Sequence, residues 1–314
     1  MEIFWGNDKI DAAKIQNPVV TIGNFDGCHI GHQEIFKRVK KHAAALHGSS
    51  VVYTFNPHPA SVINNSEPNT IYTLNEKIEA ISSLGMDFMV VVPFTREFAD
   101  THPERFVNDI LVNGIRAKGV VVGYDFVFGR RAMGDIPFLK KKGEELGFFV
   151  ESMPAVIRDG VIVSSTLIRT MIKSGDVCGA ARLLSGPYRL PGTVVHGMAR
   201  GRLLGFPTAN IRPDKSLIPA YGVYATNIYL DGKCYTGATN IGDNPTFGDE
   251  GTSIEAFLFD FEGDLYNRHI SIEFIDRLRK EIKFDSKDKL IRQIDKDCRN
   301  ASEILNRFNS GHRK

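Results

Sequence analysis

Apolar and polar positions change rhythm twice along the chain. Val19 to Ile22, Ser50 to Phe55, Asp87 to Phe94, the start of Lys118 to Phe128, and Phe148 to Pro154 are nearly continuous apolar runs. Such short runs, bounded by Gly and Pro, predict strands buried on both faces. Between them the apolar spacing relaxes to three and four residues. Helices are predicted from Ile30 past Val39, over Leu74 to Leu84, over His102 to Val112, and over Ile136 to Leu146. Gly85 and Gly147 follow two of them as stops, and Pro103 suits a first turn. Strands alternating with helices predict a parallel sheet covered on both sides. Such sheets bind ligands beyond the carboxyl ends of their strands.

A last helix of this half is predicted over Val177 to Leu184, and Gly186-Pro187 ends it. From Tyr188 the rhythm becomes that of short strands with Gly, Asn and Asp turns. Asp231-Gly232 is a hairpin signal. The prediction is a small antiparallel barrel closed by a helix over Lys287 to Phe308. Leu290, Ile291, Ile294, Ile304 and Leu305 should face the barrel. Two domains follow, 1–185 and 186–314.

Composition adds bounds. The 314 residues suffice for two domains, and 42% hydrophobic with 24% charged residues is a globular balance. A net charge of +2 gives no ground for a nucleic-acid partner. Cys28, Cys178, Cys234 and Cys298 are scattered, without metal-type spacing. The start lacks a signal-peptide pattern, and no apolar run is long enough for a bilayer. A cytoplasmic protein without a membrane partner is expected.

Candidate chemistry falls at the predicted strand ends. After Val19 to Ile22 comes GNFDGCHIGH, Gly23 to His32. His29 and His32 share one face if a helix starts near His29. Their position in its first turn favours an anion, and Gly27 and Gly31 allow close approach of a phosphate. Ser164-Ser165-Thr166 precedes a predicted helix with Arg169 one turn in. Hydroxyls, amide N–H groups and an Arg fork make a second phosphate cradle, or an ordinary helix cap. In the second half, Gly192 to Asn210 offers a glycine-bearing loop followed by P-T-A-N. Thr208 and Asn210 point the same way in an extended segment, and both present oxygen to Mg²⁺. Glu255, after NIGDNPTF, is a carboxylate able to take a proton from a hydroxyl.

The strand, glycine turn and H-x-G-H resemble the nucleotidyltransferase superfamily, whose equivalent element holds ATP phosphates. Class I aminoacyl-tRNA synthetases share that motif but add a K-M-S-K-S loop, which this sequence lacks. GNFDGCHIGHQ, NPHP, GYDFVFG and SSTLIR together resemble the flavin adenylyltransferase half of bacterial bifunctional riboflavin kinase/FAD synthetases. G-F-P-T-A-N, N-I-G-x-N-P-T-F and the acidic residue of the next strand resemble riboflavin kinase. The resemblance runs over nearly the whole chain. It implies a Rossmann-like α/β nucleotidyltransferase domain, then an all-β riboflavin kinase barrel with a terminal helix.

It also implies roles by position. His29, His32 and Arg169 would act on the triphosphate, and Glu255 would be the base on the ribityl 5′-hydroxyl. Gly23, Asn24, Phe25, Asp26, Gly27, Asn56, His58, Asp125, Ser164, Ser165 and Thr166 would line the first nucleotide site. Gly197, Gly201, Pro207 and Asn240 would line the second, with Thr208 and Asn210 on Mg²⁺. ATP, riboflavin, FMN and FAD are the implied small molecules. Cys28 is read as a packing or exposed thiol and not as a nucleophile. Asn267 stands where this family usually has Gly, and Asn suits a left-handed turn. Met198-Ala199 replaces a commoner Asp-Gly in the glycine-bearing loop. Two rivals stay open: an enzyme with one half degenerate, and a flavin-sensing or RNA-binding regulator on the same fold.

Overall fold

The computed structural model describes residues 1–65, 68–184, 186–196, 206–243 and 251–311. The chain divides into two compact units, Met1–Ser165 and Thr166–Lys314.

The first unit is a six-stranded sheet. Its strands are β1 (Glu2–Trp5), β2 (Val19–Ile22), β3 (Ser50–Phe55), β4 (Phe88–Val92), β5 (Gly119–Gly123) and β6 (Phe149–Met153). They lie in the order β1-β4-β3-β2-β5-β6, all parallel. The sequence pattern foretells five of them and misses β1, whose apolar run is only Ile3-Phe4-Trp5. Period-two alternation splits the strands between two cores. Val20, Ile22, Val51, Tyr53, Val120 and Val122 enter one core, while Val19, Val52, Met89, Val91 and Val121 enter the other. From β2 the chain steps one way to β3 and β4, and later the other way to β5 and β6. The segment after β2 therefore leaves the sheet where the strand order reverses.

Three helices of this unit matter below: α1 (Ile30–Ala45), α2 (Pro59–Asn64) and α3 (Leu74–Ser83). The helix expected over His102 to Val112 begins at Pro103 and becomes a π-helix over Phe106–Gly114. A small hairpin, β7 (Ile157–Arg158) with β8 (Val161–Ile162), precedes the helix Ser165–Ser174.

In the second unit six antiparallel strands close a barrel: β9 (Tyr188–Val195), β10 (Ala209–Pro213), β11 (Gly222–Leu230), β12 (Lys233–Asp243), β13 (Thr252–Leu258) and β14 (His269–Lys280). Their order is β10-β13-β12-β11-β14-β9. Asp231 (φ 49°) and Gly232 (φ 76°) make the predicted tight hairpin between β11 and β12. Asn267 takes the left-handed φ of 60° expected of it. The helix Val177–Leu183 buries Val177, Ala180 and Leu183 and packs on β14 and β9.

The terminal helix runs Lys287–Gly311. Its buried residues are Asp297, Ala301 and Leu305. Of the apolar residues expected to face the barrel, Leu305 is fully buried, while Leu290, Ile291, Ile294 and Ile304 are half-buried. Asp297 is the unexpected member of that stripe. It pairs with Arg279 at 2.8 Å and accepts a 2.8 Å bond from Gln293. That pairing is the condition under which a charge is tolerated in a packed face.

Candidate active sites

The segment from Gly23 to His32 is a tight, largely buried turn. Phe25 (φ 48°), Gly27 (φ 83°) and Cys28 (φ 42°) all adopt left-handed backbone. His29 caps α1: its Nδ1 accepts the backbone N–H of His32 at 3.3 Å. In the neutral ring the proton then resides on Nε2, leaving that edge as a donor. The rings of His29 and His32 stack with centroids 3.6 Å apart. Gly31 leaves the stack undisturbed, since a Cβ there would lie 3.1 Å from Cε1 and Nδ1 of His29 and push the ring by a few tenths of an ångström. Phe25 meets His32 edge-on at 5.2 Å. Burial, then the neighbouring charges of His29 and Lys77, pull His32 well below the usual histidine range, so it is neutral at pH 7. Its Nδ1 is buried and has no hydrogen-bond partner among the described residues. A buried, unsatisfied imidazole nitrogen is an expensive feature outside a binding site. Cys28 is fully buried and its thiol is pushed up to about 12 by burial.

The loop is braced from several sides. Asp26 is 2% exposed, and its carboxylate accepts the backbone N–H groups of Ile71 and Tyr72 at 3.0 Å. Its carbonyl accepts the hydroxyl of Ser165 at 2.8 Å. Gln33 reaches back to the carbonyl of Cys28 at 3.0 Å. The carbonyl of Asn24 accepts the hydroxyl of Thr54 at 3.4 Å, and Thr54 accepts Lys77 Nζ at 3.4 Å. Lys77 was not foreseen. It sits at helical spacing with Leu74, Ile78 and Ile81 on the apolar stripe of α3, and a lysine in such a stripe was the available signal.

The other sequence candidates of this half fall on separate segments. Gly23 leaves space for the Phe25 ring, 3.0 Å from where its Cβ would stand. Asn56 and Asp125 are exposed just after β3 and β5, the two neighbours of β2. His58 caps α2, its Nδ1 accepting Ala60 N–H at 3.2 Å. Ser164 stands immediately before the helix Ser165–Ser174, which carries Thr166 and Arg169 in its first turns.

In the barrel, strand register does the assembling. Glu255 on β13 is paired with Asn210 of β10 on one side and Asn240 of β12 on the other. Directly opposed residues project to the same face of a sheet, so Asn210, Glu255 and Asn240 form one row. Thr208 joins it, donating its hydroxyl to Glu255 at 3.2 Å. Pro207 is exposed beside a cleft of about 640 Å³, which Tyr235, Phe257, Asp260 and Phe261 also line. Those aromatic walls were not foreseen either, since Tyr235 comes from β12, Phe257 from β13 and Phe261 from the segment after β13. Gly197, Gly201 and the N-P-T-F part of NIGDNPTF lie outside the described residues. Among the described residues no three His, Cys, Asp or Glu side chains gather as a metal-binding group, and no helix is long and apolar enough to cross a membrane.

Known proteins resemble the chain along its length. The family described as FAD synthetase matches residues 11–167, and that described as riboflavin kinase matches 184–305. A bifunctional riboflavin kinase/FMN adenylyltransferase of Haemophilus influenzae is 35% identical over 93% of this chain and 96% of its own. One from Listeria monocytogenes is 38% identical over 90% of both. A crystal structure described as a macrolide-efflux protein from Streptococcus pneumoniae superposes with a TM-score of 0.84 at 32% identity, covering 95% of this chain and 97% of that one. With both halves matched in order, the chain belongs to the bifunctional riboflavin kinase/FMN adenylyltransferase family.

Proposed function

We propose that the chain phosphorylates riboflavin with ATP to give FMN, then adenylylates FMN with a second ATP to give FAD and pyrophosphate. The observation supporting this most directly is the presence, on one chain matched throughout by bifunctional relatives, of two chemically distinct sites. One is an imidazole pair at a helix start, suited to phosphate charge. The other is a carboxylate held in a row of amide and hydroxyl oxygens, suited to a hydroxyl nucleophile.

In the kinase step, Glu255 takes the proton of the ribityl 5′-hydroxyl as its oxygen attacks the γ-phosphorus, and ADP leaves. Thr208 and Asn210 are the oxygen ligands on offer to Mg²⁺, and Asn240 flanks the base. So few protein ligands fit an ion that draws most of its coordination from phosphate and water. When bound, Mg²⁺ neutralises phosphate charge. Gly197, Gly201 and Pro207 line the nucleotide in this reading.

In the adenylyl step the FMN phosphate attacks the α-phosphorus and pyrophosphate leaves. The Nε2–H of His29, together with His32 and the Ser164-Ser165-Thr166 and Arg169 segment, stabilises the triphosphate. Gly23 to Gly27, Asn56, His58 and Asp125 complete the nucleotide and flavin contacts. Adenylylation is assigned to 1–185 and phosphorylation to 186–314. The partners are ATP, riboflavin, FMN and FAD, with no nucleic acid or membrane. The four free cysteines suit a reducing, cytoplasmic setting.

The test is purified protein with riboflavin and Mg-ATP, with FMN and FAD separated as products. FMN without FAD would reduce the proposal to a kinase, and flavin binding without either product would favour a sensor. A fragment of residues 166–314, keeping the helix that packs on β14 and β9, should still make FMN. If it is folded by circular dichroism yet inert, the assignment of the kinase to this half fails.

A further inference from the structure

Among the described residues, Lys77 is a buried charge without a charged partner in contact. It is 6% exposed, on the face of α3 that enters the core. Its hydrogen-bond partner is a hydroxyl, Thr54 Oγ1 at 3.4 Å. The nearby carboxylate of Asp26 is engaged by the backbone N–H groups of Ile71 and Tyr72. Asp297, the acidic residue in the apolar stripe of the terminal helix, has a guanidinium at 2.8 Å instead. A buried ammonium costs stability, and Met would fill the same stripe without that cost. Thr54 is fully buried and donates onward to the carbonyl of Asn24, so the chain of bonds from Lys77 ends in the loop that carries the histidines. The charged or titratable groups within its field are Asp26, Cys28 and His32. All three belong to that loop or to the first turn of α1.

We propose that Lys77 is a positioning residue for adenylyl transfer: its buried ammonium, linked through Thr54 to the carbonyl of Asn24, holds the phosphate loop from beneath and supplies it with positive charge. The inference rests on reading Gly23 to His32 as the phosphate site. Buried beneath the loop, Lys77 is not placed to touch a substrate. It acts by fixing the backbone at Asn24 and by adding to the field in which the triphosphate is held. The same charge helps to keep His32 neutral, and His29, stacked on His32, adds to that effect.

Lys77→Met keeps the length of the side chain and removes the charge. In the full-length protein, the kcat for FAD formation from FMN and Mg-ATP should fall at least ~10-fold. FMN formation from riboflavin should stay within about twofold, because its residues lie in the other unit. The melting temperature should hold or rise. The acid limb of the FAD rate profile should move to higher pH, since His32 loses a neighbouring positive charge. Unchanged FAD formation overturns the proposal. So does a lowered melting temperature with both activities falling together, which marks a structural role. If Lys77→Met does not fold, Thr54→Val cuts the link while keeping the shape, and FAD formation at the wild-type rate in that variant overturns the proposal. His29→Ala is measured alongside. If it makes FAD normally, the loop has been misread; if it fails while Lys77→Met succeeds, only the role of Lys77 is lost.

Discussion

The sheet unit carries its imidazole pair on one short segment, Gly23 to His32, where consecutive residues form the turn, the helix cap and the ring stack. The barrel collects Asn210, Asn240 and Glu255 from three strands, where pairing register brings them into a row, and Thr208, just before β10, joins through its hydroxyl. A local site depends on backbone conformation at a few positions. A registered site depends on every residue between its members being neither lost nor gained, because a one-residue slip turns the row to the opposite face. The first should therefore be fragile to changes that add a Cβ; the second, whose backbone the barrel fixes, should tolerate them and respond to insertions, deletions or loss of a functional group.

The largest effect that would separate the two is expected at Glu255. Glu255→Gln keeps the shape of the row and removes the proposed base, so FMN formation should fall ~10²–10⁴-fold. Adenylylation of added FMN should continue, and supplying riboflavin and FMN separately reads both. Near-normal FMN formation removes Glu255 from the mechanism. Next in size is His29→Ala, which deletes both the cap and the Nε2 donor. FAD formation should drop ~10²–10³-fold while FMN formation survives. A variant that still makes FAD at the wild-type rate ends that assignment.

Gly31→Ala tests the backbone half of the comparison with every functional group in place. Its new Cβ would press on the His29 ring from 3.1 Å. A displacement of a few tenths of an ångström should cost FAD formation about tenfold, less than the ~10²-fold of a full ångström. Unaltered turnover would show that the ring stack is not part of the site.

The smallest effect is a pH dependence confined to one half. His32 is held below its ordinary value of 6.5, so under acid the unfolded chain binds a proton that the folded chain refuses. The stability of the sheet unit is thus fully expressed above about pH 6.5 and declines as the pH falls, by up to ~1.4 kcal/mol per unit. Urea unfolding at pH 5, 6 and 7 should show the slope in the wild type and a flatter one in His32→Gln. Equal slopes in both would place the acid sensitivity elsewhere.

Much of this was legible in the sequence, for reasons that follow from the same contrast. The imidazole pair could be read because its members are three residues apart in one helix turn. The continuous apolar runs identify the central strands because parallel sheets are buried on both faces. Strand β1 escaped because its apolar run, Ile3 to Trp5, is very short and lies on the sheet edge, where Trp5 stays exposed. Glu255 stood out as the acidic residue of its strand, but its pairing with both Asn210 and Asn240 needed the register. Lys77 and Asp297 were missed for one shared reason. A charge inside an apolar stripe reads as noise until its surroundings are seen, and those are Thr54 in one case and Arg279 in the other.

One atom of the first loop bears on how the protein can be handled. Cys28 holds a sulfur at the centre of the nucleotide segment, but with its proton held to about pH 12 only ~10⁻⁵ of it is thiolate at pH 7. Alkylating agents and peroxides act on the thiolate, so this sulfur offers them almost nothing. Cys178 and Cys234 are exposed, and both belong to the other unit. A thiol-reactive fluorophore should therefore attach first at Cys178, more slowly at Cys234, whose thiol desolvation also pushes up, and leave the loop of Gly23 to His32 chemically untouched.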